Sequence, residues 1–333
     1  MAFGRIGQAL AAREIRDLVA GELELVEREI SLESVASVDV VTAISSHLQA
    51  NGGKRLRPML VLLSAKLCGG VNESAIRMGA VVEMIHAATL IHDDVIDDAR
   101  TRRGKPSANV LWSNQTCVLS GDWLYMQAFQ MALRERNFAV LDILISLTQK
   151  MVQGEVIQLD RIGRIDVTEV EYRELVDRKT ASLFSACTRL GALVAGASGT
   201  VEADLGEFAW NLGMAFQLVD DVLDFTARES ILGKPVGNDL REGKVTLPLI
   251  LALQEATPGE REAVETVLRD RSYERVPLKS ILAIINRHQG IEQAQQQARD
   301  YTAKARRIIA GFPESPYQQA LYAVTDLVTE RDH

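Results

Sequence analysis

Residues 83–98 read EMIHAATLIHDDVIDD, small and apolar side chains closing on four aspartates. On a helix, residues four apart share a face, which puts Asp93 above Asp97 and Asp94 above Asp98. Like charges at that spacing destabilise a helix, and the residues before and between them, Ala87 to Ile91 and Val95-Ile96, are apolar. Carboxylates crowded on a part-buried helix need compensation, and a divalent cation supplies it. An all-oxygen donor set suits a hard ion, Mg²⁺ first.

The pattern recurs downstream as Asp220-Asp221-Val222-Leu223-Asp224, preceded by Gln217-Leu218-Val219. Each cluster is followed by a Gly-Lys-Pro: Gly104-Lys105-Pro106 and Gly233-Lys234-Pro235. One acidic pair would read as a solvated helix face; two D-D-x-x-D clusters in apolar helices do not. Acidic helices bridged by magnesium suggest a diphosphate clamp, because Mg²⁺ binds through a few carboxylates plus substrate phosphates and helps a diphosphate leave as a Lewis acid.

Around these clusters the chain reads as helix. No proline lies between Pro106 and Pro235, and that stretch is rich in Ala, Leu, Glu and Gln, which favours helices. Apolar residues recur at helical spacing, as in Leu175, Val176, Leu183 and Leu190. Alternating strand patterns with hairpin turns are absent. Helices are expected over 10–31, 34–50, 56–69, 72–98, 107–134, 137–159, 168–197, 201–227, 245–256, 260–270, 277–287, 289–311 and 315–330. Breaks fall at Asn51-Gly52-Gly53, Gly69-Gly70, Gly196 to Gly199 and Pro258-Gly259.

The 333 residues suggest about two domains by length alone. The acidic clusters and their basic companions are spread along the chain and must converge, so one all-α domain over 1–333 is expected. A net charge of −8 and a pI near 5.3 argue against a nucleic-acid partner, which calls for a basic footprint. Three unspaced cysteines, Cys68, Cys117 and Cys187, make a poor disulfide framework and fit a reducing cytoplasm. No apolar run reaches the ~18 residues of a membrane span. Met1 to Arg13 carries two arginines and no acid, and reads as a first amphipathic helix rather than a transit peptide.

The remaining cations cluster. Gly52-Gly53-Lys54-Arg55-Leu56-Arg57-Pro58 places three in a glycine-rich turn before a helix, a setting that suits phosphate. Arg102-Arg103 follows the first acidic cluster, either as its counter-charge or as a ligand site. Lys179-Thr180 and Lys244 stand singly. His86 lies seven residues before Asp93, two turns away on the same face. A His92-Asp93 pair would fit an HD-type phosphohydrolase but leaves the second cluster and the basic turn without a role. Zinc spacing, G-x-S-x-G and a dinucleotide fingerprint are all missing, so the chemistry would rest on positioning, metals and electrostatics.

Taken together, GGKRLRP (52–58), EMIHAATLIHDDVIDD (83–98), RRGKP (102–106), KTA (179–181), FQLVDDVLD (216–224) and GKPVGNDLREGKVTLP (233–248) resemble the trans-prenyl diphosphate synthases, the all-helical polyprenyl synthetases. The likeness runs from about residue 10 to the end. Within the family, GDWLYMQAFQM (121–131), GEVIQL (154–159) and ERD (330–332) resemble the bacterial octaprenyl diphosphate synthases. The resemblance implies a helical bundle around a deep cavity and a homodimer. It implies that Asp93, Asp94, Asp97, Asp220, Asp221 and Asp224 hold more than one Mg²⁺. Arg102, Lys179, Thr180, Gln217, Lys234 and Lys244 would contact the diphosphate of an allylic substrate. Lys54, Arg57, His86 and Arg103 would bind isopentenyl diphosphate. The implied reaction is ionisation of the allylic diphosphate, attack by the isopentenyl double bond and loss of a proton, giving a longer trans-allylic diphosphate.

In such enzymes product length is set by what blocks a tunnel below the first cluster. Short-chain relatives tend to place an aromatic residue four or five positions before the first aspartate. Here those positions are Thr89 and Ala88, so the tail could pass toward Ile85, Met84, Val82 and Val81, with Phe129 or Met126 as a deeper stop. The expectation is an octaprenyl-like product for a quinone side chain, with at most transient membrane contact. A class I terpene cyclase is the nearest rival, but its second metal site mixes Asn or Asp with Ser/Thr and Glu. A non-catalytic subunit of a heteromeric synthase would lack parts of the clusters, and both are intact here.

Overall fold

The aspartate run at 93–98 ends a helix and does not continue it. In the computed structural model, which describes residues 12–50, 53, 55–102, 104–226 and 236–329, this helix spans Glu73–Ile96. Asn72 caps its start by accepting from the Ala75 N–H at 2.9 Å. Its end is a Schellman motif: Asp98 turns left-handed at φ 48°, its N–H reaches the Val95 carbonyl at 3.4 Å, and the Ala99 N–H reaches the Asp94 carbonyl at 2.9 Å. The expected stacking of Asp94 over Asp98 therefore does not occur. Asp97 keeps its place one turn past Asp93, its N–H donating to the Asp93 carbonyl at 2.8 Å.

The described chain is all-α apart from one two-residue ladder. In order, the helices are α1 (Ala12–Asp17), α2 (Ala20–Glu33), α3 (Asp39–Ala50), α4 (Leu56–Leu67), α5 (Glu73–Ile96), α6 (Ala108–Leu111), α7 (Asn114–Leu133), α8 (Phe138–Arg161), α9 (Glu169–Val176), α10 (Ser182–Val194) and α11 (Gly199–Thr226). They continue as α12 (Asn238–Arg241), α13 (Leu247–Gln254), α14 (Pro258–Asp270), α15 (Leu278–Arg287), α16 (Gly290–Ala310) and α17 (Pro316–Thr329). A π-helical turn, Asp177–Ala181, joins α9 to α10.

Four local expectations need correction. The helix expected over 107–134 is two, because Trp112 is extended and Ser113 caps α7 by accepting from the Thr116 N–H at 3.1 Å; the serine was the available signal. The first helix is likewise interrupted, between Asp17 and Ala20. The Pro258-Gly259 break is the first turn of α14: Pro sits at N1, where its missing N–H costs nothing, behind a Thr257/Glu260 capping box. Strands are present, as β1 (Thr101–Arg102) paired antiparallel with β2 (Lys105–Pro106).

The described residues fall into two compact units. The first comprises the described parts of 1–145, 184–209 and 306–327. Its centre is α5, packed along α7, α4 and α2, with Leu60, Leu62, Leu63, Met78, Met84, Ile85, Ile91 and Leu124 buried. By length and composition α5 could cross a bilayer, although Glu83 and His86 interrupt its apolar run. In this structure 56% of its apolar window is buried, as in the core helix of a globular protein. The second unit comprises the described parts of 146–183, 210–305 and 328–333. There α13, buried from Leu247 to Leu253, packs against α9 and α15.

Candidate active site

In the first unit, the end of α5 presents Asp93 half-buried and Asp97 exposed, while Asp94 is only 1% exposed. Arg102, on β1, donates from Nε at 2.9 Å and Nη2 at 2.7 Å to Asp94 Oδ1. Its counter-charge reading thus holds in this structure. Asn109 Nδ2 donates to the Asp94 carbonyl at 3.0 Å. Asp94 Oδ2 is buried and has no hydrogen-bond partner among the described residues. A buried anionic oxygen left this way is costly unless a cation or donor meets it.

His92 faces elsewhere. Its Nε2 lies 3.1 Å from the Val118 carbonyl and 3.4 Å from Asp122 Oδ1 on α7, and its ring stacks on Tyr125 at 5.9 Å. Gly121 allows this approach, since a Cβ there would lie 2.3 Å from His92 Nε2. A histidine tied to a neighbouring helix does not support the HD-type reading.

Farther along the same unit, Arg57 stands at the start of α4 with its guanidinium 5.9 Å from the Phe184 ring centroid, within reach of a cation–π attraction. His86 is half-buried, one turn beyond Glu83 on α5. Lys54, Arg103 and Lys234 lie outside the described residues. Of the chain-length residues, Met84, Ile85 and Ala88 are buried and Phe129 half-buried, but Met126 is 63% exposed. Thr89 is half-buried, and its hydroxyl donates to the His86 carbonyl at 2.7 Å.

The second unit holds a cleft of about 200 Å³. It is lined by Lys179 and Thr180 from the π turn, Gln217, Asp220 and Asp221 from α11, and Lys244 from the segment before α13. Asp220 is exposed, Asp221 is 3% exposed and Asp224 fully buried. Asp221 is held at both ends: Tyr172 Oη donates to Oδ2 at 2.6 Å and Gln217 Nε2 to Oδ1 at 2.8 Å. The Thr180 hydroxyl in turn donates to Gln217 Oε1 at 2.8 Å. Asp224 Oδ2 accepts from the Asp239 N–H at 3.2 Å.

The cleft's cations already have partners. Lys179 Nζ is ion-paired with Glu155 and donates to Gln158 Oε1 at 3.0 Å. Lys244 Nζ lies 2.9 Å from Glu242 Oε2. Gly154 lets α8 come close to the π turn: a Cβ there would lie 2.8 Å from Lys179 Cγ and 3.0 Å from Arg178 Cβ.

Five polar cleft residues escaped the sequence reading: Gln158, Arg161, Tyr172, Asp239 and Thr246. Tyr172 drew no chemical expectation; it stands on α9, and Lys179 lies in the π turn after it. Asp239 and Thr246 lie inside the quoted 233–248 stretch. Arg161 carried no signal; it donates to the Glu171 carbonyl at 2.6 Å and to Glu174 at 3.0 Å, bracing α8 against α9. Burial, then the nearby Asp239 charge, raises the Asp221 carboxyl well above its ordinary range, against the pull of the Tyr172 and Gln217 donors. Burial also raises the Tyr172 phenol, with the Asp221 charge adding to it, so Tyr172 keeps its proton at neutral pH and remains a donor.

The donor set fits a hard divalent ion. It is all carboxylate oxygen, and Asp94 offers a buried oxygen in need of a cation. Among the described residues no three such side chains are gathered tightly enough to hold an ion alone.

Three comparisons with known proteins bear on the site. The family model "Polyprenyl synthetase" matches residues 38–285. The octaprenyl diphosphate synthase of Escherichia coli (strain K12) is 34% identical over 319 residues, covering 96% of this chain and 98% of that protein. The all-trans-nonaprenyl-diphosphate synthase (geranyl-diphosphate specific) of Rhodobacter capsulatus is 37% identical over 314 residues, covering 94% and 96%. Among solved structures, a polyprenyl synthase from Caulobacter crescentus CB15, complexed with calcium and isoprenyl diphosphate, superposes with a TM-score of 0.92. It is 34% identical and covers 97% of this chain and 99% of its own.

Proposed function

The chain belongs to the polyprenyl synthetase family and is a prenyltransferase; we propose that it adds isopentenyl diphosphate head-to-tail to an allylic diphosphate such as farnesyl diphosphate, making an all-trans product of about octaprenyl length. The observation that carries this reading is the cleft of the second unit. Lys179, Thr180, Gln217, Asp220 and Lys244, scattered over more than sixty positions of sequence, line one cavity of about 200 Å³. Two cations, two amide or hydroxyl groups and a carboxylate make a site for a diphosphate that arrives with metal.

In this reading Asp93, Asp94 and Asp97, with Asp220, Asp221 and Asp224, hold Mg²⁺ at the allylic diphosphate. Bound there, Mg²⁺ supplies Lewis acidity that neutralises the departing diphosphate. Lys179, Lys244, Lys234 and Arg102 bind the same group and hold it as charge builds on the leaving oxygen. Thr180 and Gln217 orient it, while Tyr172 keeps Asp221 in place. Lys54, Arg57, His86 and Arg103 hold isopentenyl diphosphate so that its double bond meets the allylic carbon. The proton lost at the end goes to the departing diphosphate. Ala88 and Thr89, small at the position of a floor, let the tail pass toward Ile85, Met84 and Phe129.

The chain acts as one catalytic domain, as a cytoplasmic enzyme and a homodimer. Its three cysteines are free thiols, as in a reducing compartment. For the dimer, α7 exposes Leu119, Met126 and Leu133, and α8 exposes Phe138, Ile145, Val152 and Leu159. Each series repeats every seven residues and forms a stripe that a second copy could cover. An oily product implies transient contact with a membrane or an acceptor enzyme, and a quinone side chain is its destination.

The test is to incubate the protein with farnesyl diphosphate, labelled isopentenyl diphosphate and Mg²⁺, then size the dephosphorylated products by reversed-phase chromatography. A ladder ending near octaprenol and abolished by EDTA is expected. Label that never enters an extended prenol would overturn the reading.

A further inference from the structure

Of the cations in the GGKRLRP turn, Arg55 is placed unlike a ligand. Its backbone is left-handed, at φ 49°, a conformation disfavoured for a residue with a Cβ. Such outliers persist where the surroundings over-determine them, and here the surroundings are two carboxylates from two helices. Arg55 Nε and Nη2 donate to the two oxygens of Glu27 on α2, the latter at 3.1 Å. Nη1 donates to Glu83 Oε1 on α5 at 2.8 Å. The side chain is 14% exposed. Bidentate pairing of this kind fixes direction as well as charge, and two carboxylates leave the guanidinium no charge to spare for a diphosphate.

What Arg55 touches lies beside the residues that the proposed function assigns to isopentenyl diphosphate. Arg57 is two residues on, in the first turn of α4, and Glu83 is one helical turn before His86. The other oxygen of Glu83, Oε2, is buried with no hydrogen-bond partner among the described residues, so Arg55 is the donor that steadies this carboxylate. We propose that Arg55 is a positioning residue: it fastens the start of α4 to α2 through Glu27 and to α5 through Glu83, and so sets Arg57 and His86 for the diphosphate of isopentenyl diphosphate. This rests on the assignment of Arg57 and His86 made above.

The sign of one substitution separates positioning from direct contact. Glu27→Gln removes a negative charge near a diphosphate site. If Arg55 touched the diphosphate, freeing its guanidinium would tighten binding. If Arg55 positions, losing the anchor loosens it. The experiment titrates isopentenyl diphosphate into the full chain by calorimetry and measures KM for each substrate, kcat and the urea midpoint, for wild type, Glu27→Gln and Arg55→Lys. With positioning, Glu27→Gln raises Kd and KM for isopentenyl diphosphate about fivefold to tenfold, and Arg55→Lys, which loses the fork but keeps the charge, about tenfold or more. The allylic KM and kcat at saturation stay within about twofold, because the altered contact is specific to one substrate. Unchanged or tighter binding in Glu27→Gln would overturn the proposal. So would a fall in urea midpoint in both variants with isopentenyl diphosphate affinity intact, which would mark the anchor as purely structural. Failure of the wild-type protein to elongate farnesyl diphosphate would instead overturn the proposed function, and the two failures are told apart by the wild-type control.

Discussion

Gly154 is the position where one added methyl group should move the chemistry most. It lies inside α8, where glycine is a poor helix former, and replacement by alanine contributes about 1 kcal/mol of helix propensity. Against that, the new Cβ would sit 2.8 Å from Lys179 Cγ and 3.0 Å from Arg178 Cβ. Both are stem atoms that cannot swing aside as a side-chain tip would. Overpacking of this kind costs about 1–3 kcal/mol, so Gly154→Ala should be destabilised by roughly 0–2 kcal/mol net. The larger effect falls on Lys179. Relief of the clash requires a new χ1 or a displaced π turn, and either takes the ammonium from Glu155, Gln158 and the cleft. A lost hydrogen bond to a charged group is worth about 1.5–3 kcal/mol, so kcat/KM for the allylic substrate should fall on the order of tenfold to a hundredfold. Steady-state kinetics with isopentenyl diphosphate saturating, beside urea unfolding, give both quantities. A variant about 1 kcal/mol more stable than wild type with unchanged kcat/KM would refute the reasoning, since propensity would then be the only effect of the methyl group.

Three further outcomes are expected. Tyr172→Phe removes a buried donor to the Asp221 carboxylate and should lower stability by about 1.5–3 kcal/mol while reducing kcat; a folded variant with wild-type unfolding and turnover would show that the contact does nothing. Glu260 is held at a pKa of about 2, first by the Thr257 backbone N–H and then by His288. A depressed carboxylate stabilises above its unfolded pKa, so the advantage of wild type over Glu260→Gln should be full above pH ~5 and shrink as pH falls toward 2; a gap constant from pH 6 to pH 3 in urea midpoints would contradict this. Ala88→Tyr places a floor in the assigned tunnel and should shift the product ladder to shorter prenols, and an unshifted ladder from a folded, active variant would remove Ala88 from the chain-length set.

The sequence made residue types and spacing legible, and it did so best where a helix supplies the metric. Asp93 and Asp97, and Gln217 and Asp221, follow helical geometry, whereas Tyr172 stands on α9 and Lys179 in the π turn after it, and tyrosine drew no chemical expectation. The end of α5 could not be read this way. The rule that residues four apart share a face holds only while the helix continues, and Asp98 leaves it in a left-handed turn that no glycine announced. The split between α6 and α7 was also obscured. Its sole mark is a serine cap, and apolar periodicity runs on past it. Arg55 shows a third limit. In the string of letters it is one of three equivalent cations, and only its two carboxylate partners, 28 residues away on either side, set it apart from Arg57.

A common arrangement underlies the three described basic residues assigned to the allylic diphosphate. Arg102 is held by Asp94, Lys179 by Glu155 and Lys244 by Glu242. In a chain with a net charge of −8, each cation has found a local carboxylate. The Lys179 and Lys244 side chains stay 24% and 21% exposed, so these two pairs are screened by water and each is worth little on its own. A diphosphate can therefore take such a cation at modest cost, because it offers more charge than the carboxylate it displaces. The carboxylate left behind then needs a new partner. At Glu155 and Glu242 water can serve. Asp94 is different, since it is 1% exposed and one of its oxygens already lacks a hydrogen bond. Arg102 cannot serve a diphosphate and Asp94 at full strength together, and releasing it leaves a buried carboxylate without its counter-charge, a place that a divalent ion can fill. On the proposed assignment of Arg102 to the diphosphate and of Asp94 to a divalent ion, the two affinities would be linked through one guanidinium, and by reciprocity each would raise the other.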